Sequence, residues 1–239
     1  MGSQPTNEEF LTTRWSMVRA AGGEGAAARE ALAGVCRAYW YPLYAFVRRK
    51  GVAAADAEDV VQGYFERLLE KFDFARLAPE RGRFRSFLLA GVENHLANVR
   101  DAARAQKRGG GMTRVPIDFA AADARFRSEA REEDPARAFE REWALALLER
   151  ALTGLEQEYR ASERGELFDV LKGELAGDGA ASHAHYAERL GSTEGAVKVA
   201  VHRLRKRYRE RLRAEIAETV VDPRDVEHEI ADLFRALGS

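Results

Sequence analysis

Between Thr193 and Arg213 eight bases stand against two acids, Glu194 and Glu210, for a local net charge of +6. From Arg81 to Arg108 seven bases oppose Glu93 and Asp101, for a net of +5. Cationic groups at this density do one kind of chemistry. They displace counterions from a polyanion, and arginine adds bidentate contacts to phosphate or guanine. The acids lie elsewhere: Ala54 to Glu80 holds seven acids and three bases, and the tail from Ala214 to Ser239 holds seven and two. Such segments are repelled by nucleic acid and suit a basic protein surface. One charge run is commonly a solvated helix face. Two of them, one on a helix-turn-helix pattern, argue for two contacts to one polyanion.

No side chains assemble into a catalytic set. There is no Ser/His/Asp or paired-carboxylate arrangement, and Gly109 to Gly111 lacks the flanking strand and helix of a phosphate loop. His183 and His185 have no cysteine or carboxylate cluster beside them to complete a metal site. Cys36 is the single cysteine, which excludes a disulfide framework, and its place on an apolar stripe reads as a core thiol. Trp15, Trp40 and Trp143 read as packing anchors. The expectation is binding, not catalysis, with no cofactor and no metal.

The elements that must position the bases are helices. Of the 239 residues 32% are charged and only 6 are proline, and apolar residues recur at three- and four-residue steps. The uncharged stretch from Ala38 to Val47 is far short of the roughly 20 residues a membrane span needs. The N-terminus shows no basic-then-apolar leader, so a cytoplasmic protein is expected. A first stripe runs from Leu32, Val35 and Cys36 through Tyr39, Leu43, Phe46 and Val47, with Pro42 predicted to kink or break it before Gly51. Asp56 reads as the N-cap of a second helix whose inner face is Val60, Val61, Tyr64, Phe65, Leu68, Leu69 and Phe72; Asp59, Gln62 and Glu66 point elsewhere. A third carries Phe84, Phe87, Leu88, Val92, Leu96 and Val99. Phe87 is expected in the core by its spacing, with a stacking platform as the alternative.

Regularity lapses from about 105 to 134, the predicted linker. Asp134-Pro135 reads as N-cap and first residue of a long helix through Phe139, Leu145, Leu148, Leu152 and Leu155. Leu167, Phe168, Leu171 and Leu175 continue a second bundle, with a loop at Gly177 to Gly179. A short helix with Tyr186, Ala187 and Leu190 then stops at Gly191. Ser192 is expected to cap a helix turning Val197, Ala200, Val201, Leu204 and Tyr208 inward, which completes a helix-turn-helix pattern.

Over roughly Arg14 to Arg213 the chain resembles the extracytoplasmic-function branch of the bacterial sigma-70 family. The resemblance rests on three motifs in order: Asp56-Ala57-Glu58-Asp59-Val60-Val61-Gln62, Phe84-Arg85-Ser86-Phe87-Leu88-Leu89, and Glu194-Gly195-Ala196-Val197-Lys198 continuing through Val199, Ala200, Val201 and His202 to Arg203-Leu204-Arg205. It implies an all-α protein of two small bundles, sigma regions two and four, joined by a flexible linker and followed here by a helical extension. The expected division is an N-terminal extension at 1–25, region two at 26–108, linker at 109–134, region four at 135–213 and the extension at 214–239.

The implied partners are core RNA polymerase, through its clamp coiled-coil, and promoter DNA, both duplex and melted strand. An anti-sigma factor or other regulator is a further expected class; a membrane is not. Carried over residue by residue, Asp56, Glu58, Asp59, Gln62 and Glu66 face polymerase. Arg81, Arg83, Arg85, Ser86, Asn94, Asn98 and Arg104 serve the minus-ten element. At the minus-thirty-five element, Lys198, Val199, His202 and Arg203 lie nearest base edges, Arg205 and Lys206 towards the backbone, with Thr193 at the helix entry.

Gly63 departs from the family, which commonly has a larger polar residue there. It either costs about 1 kcal/mol of helix propensity or permits close backbone approach. Beyond Arg213, Val226, Ile230, Leu233, Phe234 and Leu237 form a new apolar stripe on an acidic helix that the family pattern does not explain. Two roles stand open for it: packing that extends the second bundle, or docking that restrains DNA binding. Rival readings of the chain are a stand-alone helix-turn-helix regulator, for which the first bundle would be idle, and a sigma-like protein repurposed for protein contacts.

Overall fold

The computed structural model describes residues 39–71, 84–105, 119–128, 133–175, 182–217, 219–220 and 223–238. The expectations for Leu32, Val35, Cys36, Trp15, Phe72 and the Gly177 to Gly179 loop lie outside the described residues. Among the described residues every regular element is helical and no strand occurs, as the spacing predicts. In chain order the helices are α1 (residues 39–49), α2 (Ala54–Lys71), α3 (Phe84–Ala105), α4 (Phe119–Ser128), α5 (Pro135–Ala161), α6 (Gly165–Leu171), α7 (His183–Arg189), α8 (Glu194–Ala217) and α9 (Val226–Gly238). Short 3₁₀ turns follow α6 at Lys172–Leu175 and precede α9 at Pro223–Asp225.

Local chemistry sets several boundaries. Asp134 Oδ2 accepts from the amides of Ala136 and Arg137, both at 3.1 Å, and Pro135 opens α5. Ser182 Oγ accepts from the His185 amide at 3.3 Å to start α7. Two expected caps move. α2 begins at Ala54, so Asp56 sits in its first turn, where its charge still favours the positive helix end. Thr193, one residue after Ser192, caps α8 by accepting from Ala196 N at 3.2 Å. No break occurs at Pro42, since residues 39–49 are continuously helical.

The chain forms two compact units, with α5 passing from one to the other between Leu145 and Ala146. In the first, α2 packs on α3. Its core holds Tyr39, Leu43, Tyr44 and Phe46 from α1, Val61 and Phe65 from α2, and Leu88 and Val92 from α3. The stretch expected as a linker contributes α4 to this unit. Buried Asp123 accepts from Tyr44 Oη at 3.1 Å, and the Arg125 guanidinium stacks 4.1 Å from the centre of the Tyr41 ring. Burial, then the Asp123 bond, pushes the Tyr44 hydroxyl up to about 12. Residues 217–239 also belong to this unit, so the C-terminal helix does not extend the second bundle.

The second unit, residues 146–216, is organised on Leu155, Tyr159, Phe168, Leu171, Tyr186, Ala187, Val197, Val201 and Leu204. Leu152, Leu167, Leu175, Leu190, Ala200 and Tyr208 pack around them half-buried. The inward faces expected for α7 and α8 are therefore the observed ones.

Candidate nucleic-acid interface

In the second unit α7, a tight turn and α8 form a helix-turn-helix. Gly191 adopts φ +56°, the left-handed region that costs a residue with a Cβ, and the Ser192 amide reaches back to the Ala187 carbonyl at 2.9 Å. Because Val197, Val201 and Leu204 turn inward, α8's opposite face presents Lys198, Val199, His202, Arg203 and Lys206 to solvent. Val199 is 50% exposed, uncommon for a large aliphatic side chain in a folded unit. Thr193 is exposed at the helix entry.

Three further arginines of α8 pair within the second unit. Arg205 Nε donates to the Glu174 carbonyl at 2.9 Å, and its Nη2 to the Glu174 carboxylate at 3.1 Å. Arg207 and Arg211 share Glu158: Arg207 Nε donates to Oε1 at 2.8 Å, and Arg211 Nη2 to Oε2 at 2.8 Å. Burial raises the Glu158 carboxyl, but hydrogen bonds from Arg207 and Arg211 outweigh it and hold it below its usual 4.5. Arg150 pairs with Glu215. These arginines moor α8 to its own unit. Arg205, expected at the DNA backbone, is paired with Glu174, and its side chain stays partly exposed. Lys198, Val199, His202, Arg203 and Lys206, all expected at the DNA, are exposed.

In the first unit a second surface lies between α2 and α3. An open cleft of about 240 Å³ is lined by Tyr64, Arg67 and Leu68 from α2 and by Phe87, Gly91, Asn94, His95 and Asn98 from α3. Residues 87, 91, 94 or 95, and 98 recur at helical spacing on one face, so a single surface of α3 forms one wall. Asn94 and Asn98 are exposed; Phe87, expected in the core, is half-buried on the wall. Arg67 Nη1 lies 3.5 Å from His95 Nδ1. Burial first, and then the Arg67 charge, pushes His95 below its usual 6.5. A Cβ on Gly63 would meet the His95 ring at 3.3 Å, so of the two readings of this glycine the close approach is the one observed.

Arg85 does not reach this surface. It is 4% exposed, enclosed by Glu140, Glu229 and Asp232, and stacked 4.3 Å from the centre of the Trp143 ring. The expected phosphate contact is thus occupied from within the unit. Ser86, its neighbour, is exposed. Arg81, Arg83 and the side chain of Arg104 lie outside the described residues.

On α2, Asp56 and Asp59 are exposed and Glu58 and Gln62 half-exposed. Glu66 differs. At 8% exposure it is turned into the unit, so it is removed from the acidic outer face.

Tyr64, Arg67, Gly91 and His95 join the site without having been expected there. A small residue in mid-helix followed by Asn, His and Asn at i+3, i+4 and i+7 is the signal that marks Gly91 and His95; no such spacing marks Tyr64 and Arg67. Among the described residues no group of three His, Cys, Asp or Glu is placed to hold a metal ion. Among them, too, no helix is long and apolar enough to cross a membrane. The chain matches no family model, no curated protein and no solved structure.

Proposed function

We propose that this chain is a promoter-recognition subunit of bacterial RNA polymerase, of the extracytoplasmic-function sigma type, acting in the cytoplasm by binding rather than by chemistry. The observation that carries the reading is the cleft in the first unit. Its aromatic walls, two asparagines and exposed Arg67 suit one unstacked base with its phosphate. A protein that reads duplex alone has no use for such a site. The α8 face supplies the duplex contact: Lys198 and Arg203 for guanine or phosphate, Val199 for a thymine methyl, and Lys206 for the backbone. The exposed acids Asp56 and Asp59 suit a basic protein surface, that of the polymerase clamp.

In this mechanism α8 grips duplex, α2 docks on polymerase, and the cleft captures a base as the strands part. Polymerase supplies the catalytic metal. The test is reconstitution with core polymerase on a genomic promoter library, reading transcripts that depend on this protein. Discrete new start sites are expected. Duplex binding with no affinity for core polymerase would replace this reading with a stand-alone helix-turn-helix regulator.

A further inference from the structure

The C-terminal helix α9 carries a charge arrangement that neither duplex reading nor polymerase docking uses. Val226 and Leu233 anchor it in the first unit, each at most 4% exposed. Between them on the same face stand two carboxylates, Glu229 and Asp232, themselves 4% and 5% exposed. Both reach one cation on α3. Arg85 Nη2 donates to Asp232 Oδ2 at 2.6 Å, Nη1 pairs with Glu229, and Nε lies 2.7 Å from Glu140 Oε2. Arg235 supports the cluster from outside by pairing with Asp232.

A buried ion cluster is a poor adhesive. Desolvating two carboxylates opposes docking, and apolar side chains of similar size would hold a helix at least as well. What the cluster offers instead is exchange. Carboxylate oxygens arranged about a guanidinium make the same planar, charge-assisted bonds that a phosphodiester makes. Arg85 stands in the first turn of α3, on the inward face that it shares with Leu88 and Val92, where α9 covers it beside exposed Ser86. Net charge favours the same exchange, since the segment from Ala214 onward has seven acids against two bases.

We infer that α9 is an internal competitor of the DNA strand: Glu229 and Asp232 hold the place of strand phosphates on Arg85, and capture of opened promoter DNA requires α9 to lift away. The inference rests on the reading that the α3 surface receives the melted strand. It supplies that site's regulation. A factor binding acidic α9, or polymerase itself on assembly, would relieve the block.

The test uses the full chain and a short fluorescent single-stranded DNA, with anisotropy for affinity and amide exchange for docking of α9. Leu233→Asp removes the apolar anchor; Glu229→Gln with Asp232→Asn keeps the shape and removes the charge. Each is made with and without Arg85→Ala, and circular dichroism checks the fold. Both variants are expected to bind the strand about tenfold more tightly than the unaltered chain, a gain lost when Arg85 is alanine. In the unaltered chain, saturating strand should speed amide exchange across 226–238.

Unchanged affinity in folded variants overturns the inference, as does a gain that survives Arg85→Ala. If Leu233→Asp does not fold, the charge variant and the exchange measurement decide, and exchange across 226–238 that is unaltered by bound strand overturns it. Duplex affinity is measured in parallel. Strand binding that is present but equal in every variant removes the competitor role alone, whereas absence of strand binding from every protein removes the strand-capture reading with it.

Discussion

Gly91 on α3 and Tyr64 on α2 stand so close that a Cβ on the glycine would overlap the Tyr64 hydroxyl and ring. The two helices can approach, and the cleft beside them can form, only because this position has no side chain. Gly91→Ala should therefore push α2 from α3 and destabilise the chain by about 1–3 kcal/mol, the usual cost of overpacking. Tyr64→Phe removes the overlapping oxygen, so the double variant should recover part of the loss. Thermal unfolding of the four proteins measures this, and strict additivity would show that the contact does not limit helix approach.

Two groups of arginine and lysine on α8 should separate by measurement. Lys198→Ala and Arg203→Ala should each weaken duplex binding by about 1–3 kcal/mol while leaving the unfolding temperature unchanged. Arg211→Ala should do the reverse, because it takes a partner from half-buried Glu158 at 2.8 Å. Titration of duplex by anisotropy, paired with calorimetry, distinguishes them. An Arg211 variant of full stability and poor DNA binding would make Arg211 a DNA contact instead of a mooring residue.

Glu158 makes stability of the second unit acid-sensitive. Its folded carboxyl is held below the ordinary 4.5 by Arg207 and Arg211, so the unfolded chain binds a proton first as pH falls. The stabilisation is complete above the unfolded value and disappears as pH drops through the lower folded one. Glu158→Gln should lower the unfolding temperature at pH 7 and flatten its dependence between about pH 5 and 3. Equal slopes in the two proteins would assign the acid sensitivity to other carboxylates.

The turn between α7 and α8 has its own requirement. Gly191→Ala must hold a Cβ residue at φ +56°, at a cost of about 1–2 kcal/mol. Nothing lies within 4 Å of the Cβ position, so the cost is backbone strain and not collision. Denaturant unfolding should show it, with duplex affinity falling in parallel as α8 loses its set angle. Gly191→Asn, which tolerates the left-handed region better, should cost less.

Asp59 offers the sharpest separation of polymerase from DNA. It is exposed on α2, in the first unit, whereas the residues proposed to face duplex lie on α8 in the second. Asp59→Arg should abolish co-purification with core polymerase and leave duplex affinity of the full chain unaltered. Retained polymerase binding would move the docking surface off this face.

The features legible in the order of residues alone are local ones. Helical content, the inward residues of α8, the Asp134 cap and the Gly191 turn all follow from three- and four-residue spacing and from which residue types tolerate a helix end or a positive φ. Each is decided within a few residues of chain, where neighbours along the backbone are also neighbours in space. The exposed row Lys198, Val199, His202, Arg203 and Lys206 follows in the same way, as the complement of an apolar stripe.

Only tertiary structure decided which charges are paired within the protein. Arg85, Arg205 and Arg211 look no different from Arg203 as letters, yet Arg85 meets Asp232 across 147 positions, and Arg205 and Arg211 meet Glu174 and Glu158 across 31 and 53. The placement of α4 and α9 in the first unit, and the cleft between α2 and α3, are long-range outcomes too. Periodicity tells which face of a helix leaves water; it carries no information on which other element arrives to cover it. A charged side chain at the rim of that face stays exposed or becomes an internal mooring according to the neighbour that arrives.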